Sequence, residues 1–401
     1  MLIYILFAMI VIFAIEGIQI KNKKIKKISQ ISILVIFYLI AGMSYKIHND
    51  YFIYEDIYRK INFSNLKYIN WEKGYVILNA IFNNFLEFYN FKSLIYLVNI
   101  FLIYKGLKKI LIQEKVYLIL GLMYLLFGQF YSMYLSAFRQ SIAIAIFIYS
   151  LSYIINRKLI SYTLSIILAF FFHKSAIILY PVYFIFSNKL KIKMKANIFL
   201  YVILNILVVI PQITRNIVLS FEKIVGLLKL GTLSESYLIK ESNLEIKNII
   251  FNIFLFILYE YLNSKKENYF INKILFCYLI IEILSKIIGV FYRVEIYFTV
   301  FYCIFIVELF FKCNKNIIFK LIRISLVLFL GLNYNLKLII YDYKERGAYI
   351  PLHFTFERIY KNIRYQDTAE YKHLLERYES NNNLRELKEK NEKNYIRKEG
   401  V

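Results

Sequence analysis

The stretch Phe138-Arg139-Gln140-Ser141-Ile142-Ala143-Ile144-Ala145-Ile146-Phe147-Ile148-Tyr149-Ser150-Leu151-Ser152-Tyr153-Ile154-Ile155-Asn156-Arg157-Lys158 decides the fold class. From Ser141 to Ile155 it carries no charged side chain, and it ends on a basic pair. A helix that crosses the hydrocarbon of a bilayer needs about 20 apolar residues, with a range of about 17–25. The same pattern recurs along the chain. Runs at 2–20, 31–47, 93–111, 116–134, 138–155, 159–173, 174–188, 197–211, 247–263, 271–290, 294–312 and 317–333 predict an all-α, polytopic helical membrane protein of about twelve spans. The pair 159–173 and 174–188 is short and also reads as one kinked unit meeting near His173. The first run follows no basic residue and precedes no small-residue cleavage site, so it reads as a retained anchor. Residues 1–333 form the expected transmembrane domain, and 334–401 a polar, charged C-terminal tail, partly helical or disordered.

Composition agrees. Of 401 residues, 59% are hydrophobic and only 19% charged, against about 45–50% and about 25% in a soluble chain. There is too little polar surface to cover a soluble particle. Lys plus Arg is 51 and Asp plus Glu 27, a formal charge of +24. The tail holds 14 basic and 11 acidic residues, leaving 37 and 16 to the first 333. That excess sits in short lysine clusters between apolar runs, as in basic cytoplasmic loops. It is not gathered on one soluble face, as nucleic-acid binding requires. A soluble enzyme and a nucleic-acid-binding protein are both excluded. Cys277, Cys303 and Cys313 show no CxxC spacing and read as small buried apolar residues. No cluster has metal-ligand spacing, so no metal and no cofactor is expected.

The basic clusters Lys21–Lys27, Lys105–Lys115, Arg157–Lys158, Lys189–Lys195, Lys265–Lys273 and Lys312–Lys320 occupy every second connection. The others are the loop 48–92, the turns near Tyr134–Ser136 and His173–Lys174, the loop 212–246 and the turn Gly289–Arg293. This alternation places the second set, and both termini, outside the cytoplasm. It requires that 75–90 does not span. There Asn79, Asn83 and Glu87 recur every fourth residue and line one helical face, which predicts an amphipathic helix lying at the outer interface. A second amphipathic helix is expected at 217–230.

No GxGxxG, P-loop, HExxH or GxSxG motif is present. Chemistry therefore falls to ionisable groups inside or at the ends of spans, a residue type that is costly at the bilayer centre. Arg139 is either an interfacial anchor or an inward anion site, since its planar fork suits phosphate or carboxylate. An outer anchor runs against the positive-inside bias, and Gln140 and Ser141 add polarity unsuited to lipid. His173 is either a core histidine bonded to a neighbouring helix or a functional group, donating to phosphate or accepting a proton. Arg293 can join Arg139 around one anion; Glu295 points to another face. Lys286 and Glu282 stand at helical i,i+4 spacing and read as a structural ion pair. In the first outer loop, Asp50 is one of four aspartates in the chain. It and Glu72 are either solvated acids or a general base at the membrane edge. The aromatics around them, Tyr54 and Trp71 included, suit an interfacial belt or a sugar platform equally.

These residues resemble the EpsG family of bacterial exopolysaccharide polymerases, related in role to Wzy proteins. Phe138-Arg139-Gln140 with Ala143 is similar to the family's Arg-Gln helix start. Ala169-Phe170-Phe171-Phe172-His173-Lys174-Ser175-Ala176 resembles its Ala-x-x-Phe-His-x-Ser-Ala segment, the most specific match. Arg293 with Tyr297-Phe298 resembles its later Arg-x-x-x-Tyr segment, and Asp50-Tyr51 with Tyr54 its Gly-x-Asp-Tyr-x-x-Tyr stretch. His48 replaces the usual Gly, and Ser44 an Arg often seen there, with Lys46 close by. The resemblance spans roughly residues 40–351. It implies a membrane glycosyltransferase of the bacterial cytoplasmic membrane that acts on oligosaccharide repeat units carried on undecaprenyl pyrophosphate. Arg139 and Arg293 would hold the pyrophosphate with His173 assisting, Asp50 or Glu72 would be the base, and Gln140, Tyr54, Tyr297 and Lys46 would bind substrate. Membrane lipid, a flippase and a chain-length regulator are the implied partners. A flippase or exporter of lipid-linked oligosaccharide, or an O-antigen ligase, would share the spans and the cations.

Overall fold

A computed structural model describes residues 2–44, 49–64, 66, 71–126, 137–187, 191–227, 246–262, 268–288, 291–312, 317–319 and 321–327. Within them the chain is all-helical, with no β-strand. In order come α1 (Leu2–Ile18), α2 (Lys23–Gly42), α3 (Asn49–Lys60), α4 (Lys73–Phe82), α5 (Phe88–Lys108), α6 (Gln113–Leu126), α7 (Phe138–Ile155) and α8 (Leu159–Phe172). A 3-10 turn (Lys174–Leu179) leads to α9 (Val182–Ser187), α10 (Met194–Val209), α11 (Pro211–Leu227), α12 (Ile246–Leu262), α13 (Tyr269–Ile287) and α14 (Phe291–Lys312). Lys46, Cys313, residues 328–333 and the tail lie outside the described residues.

Three of these helices, α2, α7 and α14, are long and apolar enough to cross a membrane; a fourth crossing results if α10 and the start of α11, bent by 97°, count as one. Most other predicted runs appear as shorter helices close to the expected positions. The pair around His173 is broken, as one of its two readings expects: α8 stops at Phe172 and His173 is extended, with φ −156° and ψ 118°.

Helix α14 is the axis of the bundle. Nearly all its residues from Val294 to Phe310 are buried, as befits a helix apolar on all sides. It packs along α13 and touches α6, α7 and the 3-10 turn. Helix α7 is also mostly buried, between α5 and α8. Close approach of α5 depends on Gly106, where a Cβ would lie 2.6 Å from Ile148 O and Tyr149 Cα.

Two expectations are corrected. The predicted span 31–47 begins earlier, at Lys23, because Asn22 caps the helix: its Oδ1 accepts from Lys24 N at 2.9 Å and Ile25 N at 3.4 Å. The lysines expected in a loop therefore form the first turns of α2. The other concerns 75–90. Helix α4 has ten residues and rises about 15 Å, half a bilayer core, so it is too short to span. The two asparagines of the predicted polar face turn inward, however, while Glu87, beyond the end of α4, is exposed. Asn79 is 0% exposed and donates to Tyr75 O at 2.8 Å, and Asn83 Nδ2 donates to Ile61 O. The apolar residues Ile77, Ile81 and Phe85 are exposed, as are Asn84 and Glu87 beyond the helix end. Asparagines turned inward and apolar side chains turned outward are what a hydrocarbon surrounding demands, since unpaired polar groups are costly there.

Ion pairs lock one end of the bundle. Lys26 meets Glu114 at 2.8 Å, Arg323 meets Glu16 at 3.1 Å, and Lys115 pairs with Glu308. These groups sit at or next to the lysine-flanked ends of α1, α2, α6 and α14. The first turn of α14 lies at the far end of that helix, about 22 Å away by helical rise.

Candidate functional site

The far end gathers residues from four places in the chain. Glu72 is the N-cap of α4, Arg139 and Gln140 open α7, His173 closes α8, and Arg293 and Tyr297 occupy the first turns of α14. Helices α4 and α8 come together at Gly74, where a Cβ would stand 2.8 Å from Phe171 O. Only glycine permits this approach, and it brings Glu72 to the broken end of α8. There the Lys174 N–H donates to Glu72 Oε1 at 3.4 Å. The other carboxylate oxygen, Oε2, accepts from Arg139 Nη1. This pair is mostly shielded, with 10% of the Glu72 side chain and 22% of the Arg139 side chain exposed.

Aromatic rings support the guanidinium. The Trp71 ring lies 4.2 Å from Arg139 Cζ and the Tyr54 ring 5.9 Å, a cation–π arrangement. Trp71 and Tyr54 meet edge to face at 5.2 Å. Burial pushes the Tyr54 hydroxyl above its ordinary pKa, with the Arg139 charge partly offsetting it. Arg139 Nε is buried without a hydrogen-bond partner, so the guanidinium keeps donor capacity beyond the Glu72 contact.

Gln140 ties α7 to α14: its amide donates to the carbonyl of Arg293. Glu72, paired with Arg139, also accepts from the amide that follows His173, and the charges of Glu72, Arg139 and Arg293 all reach the His173 imidazole. On its other edge, His173 Nδ1 lies 2.6 Å from Ser175 Oγ and 3.4 Å from Tyr297 OH, and Ser175 donates to Tyr297 OH at 3.2 Å.

Of the residues expected to matter, Glu72, Arg139 and His173 come together, and Arg293, exposed on the first turn of α14, stands at the same end with its carbonyl held by Gln140. Gln140 and Tyr297 are buried beneath them and Tyr54 beside them. Asp50 is exposed in the first turn of α3, one turn before Tyr54; Lys46 lies outside the described residues. Ser175, from the segment that resembles the family's, and Trp71, one of the aromatics read as a belt or sugar platform, join the cluster although the sequence assigns neither a specific role in it. Their signal was adjacency, since Trp71 precedes Glu72 and Ser175 lies two residues beyond His173. Elsewhere, Lys286 pairs with Glu282 at 3.0 Å as their spacing predicts. Cys277 and Cys303 are buried and free. Among the described residues, no three His, Cys, Asp or Glu side chains gather as metal ligands.

Such a site offers a partly engaged guanidinium, a second cation, an imidazole and a carboxylate at the end of an apolar bundle. That set suits a concentrated anion whose apolar remainder stays in lipid. The family model described as the EpsG family matches residues 27–354. No curated protein and no solved structure gives a match.

Proposed function

Because the chain belongs to the EpsG family, we propose that it polymerises oligosaccharide repeat units carried on undecaprenyl pyrophosphate into exopolysaccharide, capsule or O-antigen at the outer face of the cytoplasmic membrane. About twelve crossings, counted from the apolar runs and oriented by the lysine clusters, set Arg139, His173 and Arg293 on that face. The observation that carries the reading is that Arg139, Glu72 and the broken helix end at His173 meet, with Arg293 tied to the same end through Gln140, although they lie far apart in the sequence.

In the reaction, a sugar hydroxyl of the acceptor attacks the anomeric carbon of the donor and lipid pyrophosphate leaves. The leaving group concentrates negative charge, so preplaced cations lower the barrier. Arg139 offers its fork and Arg293 a second charge. Glu72 holds Arg139 in place and is exchanged for phosphate when the donor arrives. Lipid-linked glycans from a deletion strain, separated on a gel, test the reading. Single repeats accumulating at the outer face are the expected result. Single repeats trapped inside would instead indicate a flippase or exporter, and long unattached polymer a ligase.

A further inference from the structure

The polymerase reading leaves open which group takes the proton of the attacking hydroxyl. Glu72 is engaged at both oxygens, by Arg139 and by the Lys174 amide, and when phosphate takes its place on Arg139 like-charge repulsion turns its carboxylate away from the reacting centre. Asp50 is exposed on α3, a turn away from the Tyr54 ring that flanks Arg139. His173 remains. Its Nδ1 is occupied by the hydroxyls of Ser175 and Tyr297, and no described residue engages Nε2. Ser175 donates to Tyr297, and the tautomer with its proton on Nδ1 completes that chain by donating to Ser175 across the 2.6 Å contact. In that tautomer the lone pair is on Nε2. Tyr297 is 0% exposed and is packed against Phe147, so its hydroxyl is fixed in the core while half-buried Ser175 and the imidazole lie at its edge.

Resting on the polymerase reading, we propose that Ser175 and Tyr297 are positioning residues that present Nε2 of His173, as proton acceptor, to the incoming sugar hydroxyl. The hydroxyl proton passes to Nε2. Its oxygen bonds the anomeric carbon, and the electron pair of the broken carbon–oxygen bond leaves with the pyrophosphate. The imidazolium then stands beside the departing anion, a favourable pairing at the moment that charge develops.

The test uses the full chain restored to a deletion strain, with the host's own lipid-linked repeat units as substrate and polymer yield normalised to membrane-inserted protein. Losing one hydrogen bond predicts about a 3- to 10-fold fall for Ser175→Ala and for Tyr297→Phe, with Ser175→Thr close to wild type. Both effects vanish in a His173→Gln background, because a positioning residue has nothing left to position. Nitrogen-15 spectra of histidine-labelled protein, assigned by the signal lost in His173→Gln, show Nδ1 protonated in wild type and a shifted ring equilibrium in Ser175→Ala. The proposal is overturned if Ser175→Ala costs as much without His173 as with it, or if wild type carries its proton on Nε2. Wild-type polymer from His173→Gln would overturn it too, and would also remove His173 from the polymerase site.

Discussion

Replacing Gly74 by alanine tests how tightly the site depends on the contact between α4 and α8. The new Cβ would fall 2.8 Å from Phe171 O and 3.0 Å from Phe171 Cβ, where ordinary contact begins at 3.4 Å. The first clash is with backbone, so no rotamer change relieves it, and the helices must separate by about 0.6 Å, the difference between 3.4 and 2.8 Å. Overpacking of this kind costs about 1–3 kcal/mol. Alanine in a helix otherwise gains about 1 kcal/mol over glycine, so the net loss of stability should be small. Function should suffer more. Glu72 lies two residues away, and its bond to the Lys174 amide is already 3.4 Å long. The shift breaks that bond and loosens the hold on Arg139. A misplacement of about 1 Å can cost about 100-fold in rate, so roughly half that shift predicts about a tenfold loss. Polymer yield per inserted protein and thermal unfolding in detergent should be measured side by side. A Gly74→Ala protein with wild-type yield would refute the claim that this close approach positions the site.

Other predictions follow from single contacts. Arg139→Lys keeps the charge but loses the fork and the guanidinium carbon's place 4.2 Å from the Trp71 ring; polymer yield should fall at least about tenfold, and near-normal polymer would remove Arg139 from the site. Lys92 is buried, with Nζ donating to Ser44 O at 2.6 Å and Ser44 Oγ at 2.7 Å. Lys92→Met should therefore lower stability by about 1–3 kcal/mol as the Ser44 carbonyl loses its donor, and an unchanged melting temperature in detergent would contradict this. A single cysteine in the 105–115 loop should resist membrane-impermeant reagents in intact cells; labelling there would invert the orientation assigned to the bundle.

The fold was legible where composition alone decides it. The run from Phe138 to Ile155 appears as a helix with those bounds, because fifteen uncharged residues in a row have no other low-energy state in lipid. The start of α2 was not, because a cap formed by Asn22 overrides the inference that lysines mean a loop. Helix α4 showed the right periodicity with its faces assigned inside out: spacing reports that Asn79 and Asn83 share a side, and only the surroundings say whether that side meets water. The local pair Lys286–Glu282 could be read from i,i+4 spacing. The pairing of Glu72 with Arg139 could not, since no periodicity connects residues from different helices. Arg139 and His173 drew notice as ionisable groups at span ends. Tyr297, expected to bind substrate, and Ser175 stood out only through the family resemblance, and the bonds that join both to the imidazole emerge only from the distances.

The most direct test of the central claim is a cryo-electron microscopy map of the full chain in lipid nanodiscs containing undecaprenyl pyrophosphate. The account predicts phosphate density between Arg139 and Arg293, within hydrogen-bonding distance of the Arg139 guanidinium and beside His173, with Glu72 displaced from its partner. Phosphate density at the lysine-rich end of the bundle, or Arg139 and Arg293 too far apart to share one head group, would contradict it.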